Sequence, residues 1–157
     1  MTTTLNALTM PAVVTAPGEG RAPLPIRLMG HDLLIKASVK DSMGNFSVLH
    51  MNLDPMGGPP LHIHTREDEW FYVLKGELVV QIGDDRITAG AGTSVLAPRN
   101  VPHAFQNFTD TNVEAIVLLT PGALEDFFLE AGTAPMDQLE GIATQYGVVL
   151  VGPPLAR

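Results

Sequence analysis

Residues 57–76 read GGPPLHIHTREDEWFYVLKG, and this stretch decides the reading of the chain. His62 and His64 are two apart, so on an extended strand both side chains leave the same face. Thr65-Arg66-Glu67-Asp68 is a polar run suited to a turn, after which a second strand returns with Glu69 as its first inward residue. A second stretch, GTSVLAPRNVPHAFQN over residues 92–107, adds His103. Three imidazoles and a carboxylate form a donor set that suits a divalent transition metal, because imidazole nitrogen binds iron, nickel, copper and zinc and the carboxylate adds a hard anionic oxygen. His62, His64, Glu69 and His103 are therefore the candidate ligands of one metal per chain, with Fe, Mn, Ni, Co, Cu and Zn all open.

These residues carry a family resemblance. The first stretch resembles the first cupin motif in its glycine lead-in (Gly57-Gly58), His62, His64, Glu69 and closing Gly76. The second resembles the second cupin motif in Gly92, Pro98, His103 and Asn107. Two positions depart from the pattern: Asn100 stands where glycine is usual, and the lead-in glycine lies one residue nearer His62. Neither departure touches a candidate ligand. Asn is among the non-glycine residues that best tolerate positive φ, so a tight turn survives at Asn100. The resemblance implies an all-β cupin barrel of the double-stranded β-helix or jelly-roll type, with one copy of each motif and hence one barrel.

The whole chain sets bounds of its own. Its 157 residues are enough for one domain with a real core. The net charge of −8, with no cluster of Lys or Arg, excludes a basic surface for nucleic acid or an anionic membrane. There is no cysteine, so thiol ligands and disulfides are excluded. The first twenty residues lack the basic start and continuous apolar core of a signal peptide, and no stretch approaches a membrane span. The expected compartment is the cytoplasm.

Residues 1–25, rich in Thr, Ala, Pro and Gly, read as an N-terminal arm, residues 26–120 as the barrel, and residues 121–157 as a C-terminal helical extension packed on it. Strands are expected at 33–40, 46–53, 70–74, 77–82, 86–88, 94–97, 103–108 and 113–119, separated by turn residues at the intervals of an all-β barrel or sandwich. Residues 55–60 read as a loop. Apolar residues at helical spacing over 123–130 and 136–146 predict two short helices on the outside of the barrel. The run TPGALEDFFLEAGTAP, with the later YGVVLVGPP, is similar to the tails of single-domain cupins grouped with quercetin dioxygenases.

With Glu69 inward, strand alternation turns Phe71 and Val73 inward and Trp70, Tyr72 and Leu74 outward. The outward stripe needs a cover, either the C-terminal helices or a second subunit, and the family habit of pairing barrels through their sheets implies a homodimer. Alternation places His103, Phe105 and Asn107 on one face. Phe71, Val73, Phe105 and Met51 are the candidate walls of a substrate pocket, with Met56 nearby. The facing of His50 is open: it lines the pocket or serves as a solvent-facing or hydrogen-bonded structural residue. His31 reads as a surface residue of a Gly-His-Asp turn, Glu67 and Asp68 as a solvated acid pair, and Arg66 and Arg99 as solvated turn residues. Gly90-Ala91-Gly92 lacks the lysine and helix of a phosphate loop.

The resemblance implies a metal-dependent dioxygenase of the quercetinase type, acting on a flavonol or related hydroxylated aromatic as its small-molecule partner. Glu69 then takes the proton of the substrate hydroxyl as well as serving as a ligand. Two alternatives stand beside it: a non-redox metal-dependent isomerase or lyase, and a non-catalytic small-molecule-binding cupin.

Overall fold

A computed structural model describes residues 12–157; residues 1–11, and with them the first half of the expected arm, lie outside the described residues. The described residues form eleven strands and two short α-helices in the order β1 (Ile26–Leu28), β2 (His31–Ala37), β3 (Ser47–Leu53), β4 (Pro60–His64), β5 (Asp68–Lys75), β6 (Glu77–Ile82), β7 (Asp85–Gly90), β8 (Ser94–Ala97), β9 (His103–Gln106), β10 (Val113–Thr120), α1 (Glu125–Ala131), α2 (Leu139–Gln145) and β11 (Val148–Pro154). Two sheets result, ordered β1-β2-β3-β10-β5-β8 and β11-β4-β9-β6-β7. Every pairing among them is antiparallel. This is the all-β jelly-roll expected from the sequence. Among the described residues no helix is long and apolar enough to cross a membrane.

Period-two alternation builds the core. Ser47, Leu49, Met51 and Leu53 of β3 and Val113, Ala115, Val117 and Leu119 of β10 are buried while the residues between them are not. The two strands pair in register, Met51 opposite Ala115 and Leu53 opposite Val113. One slip by a single residue would turn every buried side chain to water, and that penalty holds the register.

Two features differ from the sequence reading, and a third bears on a point it left open. The first is a hairpin at the start of the barrel: Leu28 pairs with His31, and the loop residues Met29 and Gly30 both have positive φ, 48° and 80°. Two positive-φ loop residues are the type I′ geometry that matches strand twist, but methionine gives no signal for it. The second is β11, which adds to the edge of β4 with Val148 opposite His64 and Leu150 opposite His62. The segment 121–157 is thus not a helical appendage alone, since it ends in a strand of the sheet. The third concerns the outward stripe of β5. The helices α1 and α2 pack on β1 and β11 rather than on β5. Tyr72 and Leu74 are 37% and 44% exposed, with Leu96 of neighbouring β8 at 56%. Trp70 stacks on Tyr72 and donates its indole N–H to Ser94 Oγ at 2.7 Å.

Candidate metal centre

The HxH pair lies on β4, with both imidazoles buried and directed between the sheets. His62 is the cross-strand partner of His103 on β9, so register alone brings the second stretch to the first. Glu69 arrives from the other sheet, as the second residue of β5 after the short Thr65–Glu67 connection. The four donor atoms lie within 4.8 Å of one another, and all four residues are buried.

Their orientation is set by the backbone. His62 Nδ1–H donates to the Pro60 carbonyl at 2.8 Å, and His103 Nδ1–H donates to the Val101 carbonyl at 2.9 Å. Each carbonyl lies two residues back along the chain, and each bond fixes the tautomer that turns Nε2 inward. His103 Nε2 meets Glu69 Oε2 at 3.1 Å, and His64 Nε2 lies 4.0 Å from the same oxygen. His64 Nδ1 is sealed in with no partner. Four convergent donors that include an orphaned imidazole and a carboxylate fit a divalent transition metal, whose bonds to nitrogen and oxygen are about 2.0–2.2 Å.

Electrostatics point the same way. Burial disfavours the charged imidazole and lowers His62 to about 3, aided by the nearby His64 and His103. Burial likewise lowers His64 to about 4. Burial opposes ionisation of Glu69, but His64 and His103 outweigh it and hold the carboxyl at about 2. Burial disfavours the charged form of His103, but the hydrogen bond and charge of Glu69, with the Val101 carbonyl, together outweigh it and raise the group. Three imidazoles thus surround a permanent carboxylate, and only His103 has a proton to release when a cation enters.

The cluster opens onto a cavity lined almost entirely by apolar atoms. Its volume is about 590 Å³ with the open mouth included. Met51 and Phe105 line it as expected from sequence. Phe71 and Val73 are inward and 1% exposed but do not line it; Phe71 packs edge-on against Phe105 with ring centroids 5.2 Å apart and backs the wall. Of the two readings open for His50, the structure gives the outward one. It occupies an outward position of β3, 3.6 Å from Glu114, because Leu49 and Met51 take the two inward positions beside it. Met56 is exposed and outside the cavity. Asn107 staples loops instead, its amide donating to the Leu53, Asp54 and Thr111 carbonyls.

Other cavity residues escaped the sequence reading. Phe127 and Phe128 come from α1, and Val148 and Leu150 from β11, so the C-terminal segment supplies a wall. His31 is 6% exposed and lines the cavity, not the surface. Recognising Met29-Gly30 as a two-residue loop would have put His31 in phase with inward Leu33 and Ile35. Glu67 is also buried, at 2% exposure with Oε2 unpartnered, while Asp68 and Arg99 form a salt bridge at 2.9 Å. Asn100 has φ of 64°, the left-handed turn that its substitution for glycine allows.

Residues 49–119 match the family of the cupin domain, a span that holds all four candidate ligands. No curated protein matches the sequence. Among solved structures, the chain is similar to a predicted oxalate decarboxylase from Thermotoga maritima, with TM-score 0.62 and 20% identity over 69% of this chain and 98% of that one. It is similar to the polyketide cyclase RemF from Streptomyces resistomycificus, with TM-score 0.57 and 22% identity over 71% and 80%. A sugar phosphate isomerase of the cupin superfamily from Silicibacter pomeroyi gives TM-score 0.50 and 25% identity over 64% and 67%. One fold carrying a decarboxylase, a cyclase and an isomerase leaves the reaction to be argued from the site. The matched residues thus resemble the cupin domain, and the fold is that of one jelly-roll barrel.

Proposed function

We propose that this chain is a metal-dependent dioxygenase of the quercetinase type that acts on a hydroxylated aromatic. The observation that carries the reading is a buried carboxylate, Glu69, set among three histidines at one wall of an apolar, phenylalanine-lined cavity. His62, His64 and His103 would hold the metal, with Glu69 as fourth ligand. A bound redox-capable transition metal supplies a Lewis acid for the substrate oxygen and an electron path to dioxygen.

The chain's own groups do the rest. Glu69, ionised and within reach of the cluster, accepts the proton of a substrate hydroxyl. In the metal-free protein His103 Nε2 meets Glu69 Oε2, so the carboxylate already lies among the imidazoles. Phe105, Phe127, Phe128, Met51 and Leu150 exclude water and give an aromatic ring apolar contact.

A second reading is a non-redox isomerase or lyase, favoured by a donor set that zinc serves as well as iron. No Lys or Arg lines the cavity among the described residues, so such an enzyme would take an apolar substrate rather than a sugar phosphate.

Oxygen uptake on addition of catechol, simpler phenols and quercetin decides between them, with protein loaded separately with iron, manganese, cobalt, nickel, copper and zinc. Uptake that needs a redox-capable metal and disappears in Glu69→Gln with metal retained supports the dioxygenase. No uptake from metal-loaded protein sinks it.

A further inference from the structure

Among the described residues, His31 is the one polar side chain of the cavity wall outside the metal cluster. It opens β2, and in the sheet order two strands, β3 and β10, separate it from β5 and Glu69. The two residues therefore mark different parts of the same wall. The His31 ring packs edge-on against Phe105, with centroids 5.5 Å apart, which fixes its plane.

The tautomer follows from the backbone. His31 Nδ1 faces the Leu28 carbonyl, which can only accept, so Nδ1 carries the hydrogen. In a neutral ring Nε2 is then an acceptor. Burial lowers the pKa of His31, against the opposing influence of the Leu28 and Met29 carbonyls and of Glu69, and keeps the ring neutral. Among the described residues Nε2 makes no hydrogen bond, yet it is not one of the polar atoms sealed away without a partner. It retains surface on the cavity. An acceptor with no protein partner is open to a donor on a ligand.

We infer that His31 is a specificity-determining residue of the cavity, whose Nε2 accepts a hydrogen bond from a hydroxyl of the ligand remote from the metal cluster. The ligand class is an apolar ring carrying two hydroxyls, one directed at the Glu69 cluster and the second at His31. This deepens the reading of the cavity as a substrate site and rests on it.

Binding, not turnover, tests the inference. Hydroquinone, with two hydroxyls, and 4-methylphenol, with one, are titrated anaerobically into zinc-loaded protein. The variants are His31→Asn, whose amide keeps a donor toward the Leu28 carbonyl but has no acceptor at the Nε2 position, and His31→Gln, which restores one there. Melting temperature and zinc content are measured for each variant. The ratio of the two dissociation constants should shift against hydroquinone by roughly tenfold in His31→Asn and recover in part in His31→Gln. In the wild type, the His31 Nε2 nitrogen resonance should move with hydroquinone and stay with 4-methylphenol. The same ratio in wild type and His31→Asn, or an unmoved resonance, or no binding of either probe, overturns the inference. Failure of oxygen uptake beside an intact binding shift would sink the dioxygenase and leave His31 in its role.

Discussion

His62 on β4 and His103 on β9 are direct cross-strand partners, with ring centroids 4.5 Å apart. Two motifs some forty residues apart in sequence thus meet through sheet register, and their Nδ1 atoms are tied to carbonyls by the same local bond. The centre is prepared before any cation arrives, so removing one ring leaves an incomplete donor set in a rigid frame.

Replacing His103 with alanine should therefore lower bound metal by roughly tenfold or more, since even losing a group that only orients a ligand costs about that much. Elemental analysis of purified His62→Ala and His103→Ala proteins checks it. Metal content equal to wild type would remove the cluster from consideration as a metal centre.

Gly58 leads into the HxH strand and cannot carry a side chain where it stands. A Cβ there would lie 2.3 Å from the Phe105 carbonyl oxygen and 2.5 Å from Gln106 Oε1, and its φ is 156°. Gly58→Ala should destabilise the protein by roughly 3 kcal/mol or more and lower the melting temperature by about 10 °C. An unchanged melting temperature would contradict the close approach of this loop to β9.

The metal-free protein should weaken on acidification. His62 and His64 titrate near 6.5 when unfolded and at about 3 and about 4 when folded, so their stabilisation is present above pH 6.5 and lost as pH falls through that window. Glu69, lowered from 4.5 to about 2, adds to the loss below pH 4.5. His103, being raised, contributes in the opposite sense, its stabilisation present below pH 6.5 and lost as pH rises through its folded value. Two lowered histidines outweigh one raised. Urea unfolding of chelator-treated protein from pH 7 to pH 4.5 should show a falling midpoint, and a flat or rising one would refute this balance.

The homodimer that the family resemblance implies would cover Tyr72, Leu74 and Leu96 on the outer face of the six-stranded sheet. Leu96→Glu should then turn a dimer into a folded monomer in sedimentation equilibrium, because a charge at the centre of an apolar interface cannot be solvated there. A dimer mass that persists in Leu96→Glu would place the interface elsewhere.

The four converging side chains and the barrel were legible in the residues because both rest on short-range rules. His62 and His64 share a face by strand alternation, Glu69 follows one polar turn later, and the alternation of β3 and β10 is plain in their side chains. His50 shows the limit of that rule: in SVLHMNL both phases hold apolar residues, and only pairing with β10 settled that Leu49 and Met51 face in.

The sequence by itself determined which four side chains can bind a metal and that short strands would enclose them. Only the tertiary structure decided what surrounds them. Val148 and Leu150 reach the cavity because β11 pairs with β4 across more than eighty residues of chain, and Phe127 and Phe128 reach it because α1 docks on β1. His31 joins them through a hairpin closed by a positive-φ methionine. Alternation and ligand chemistry are written in neighbouring residues. The partners that line a cavity are chosen by burial of apolar surface between distant segments, and no local pattern names them.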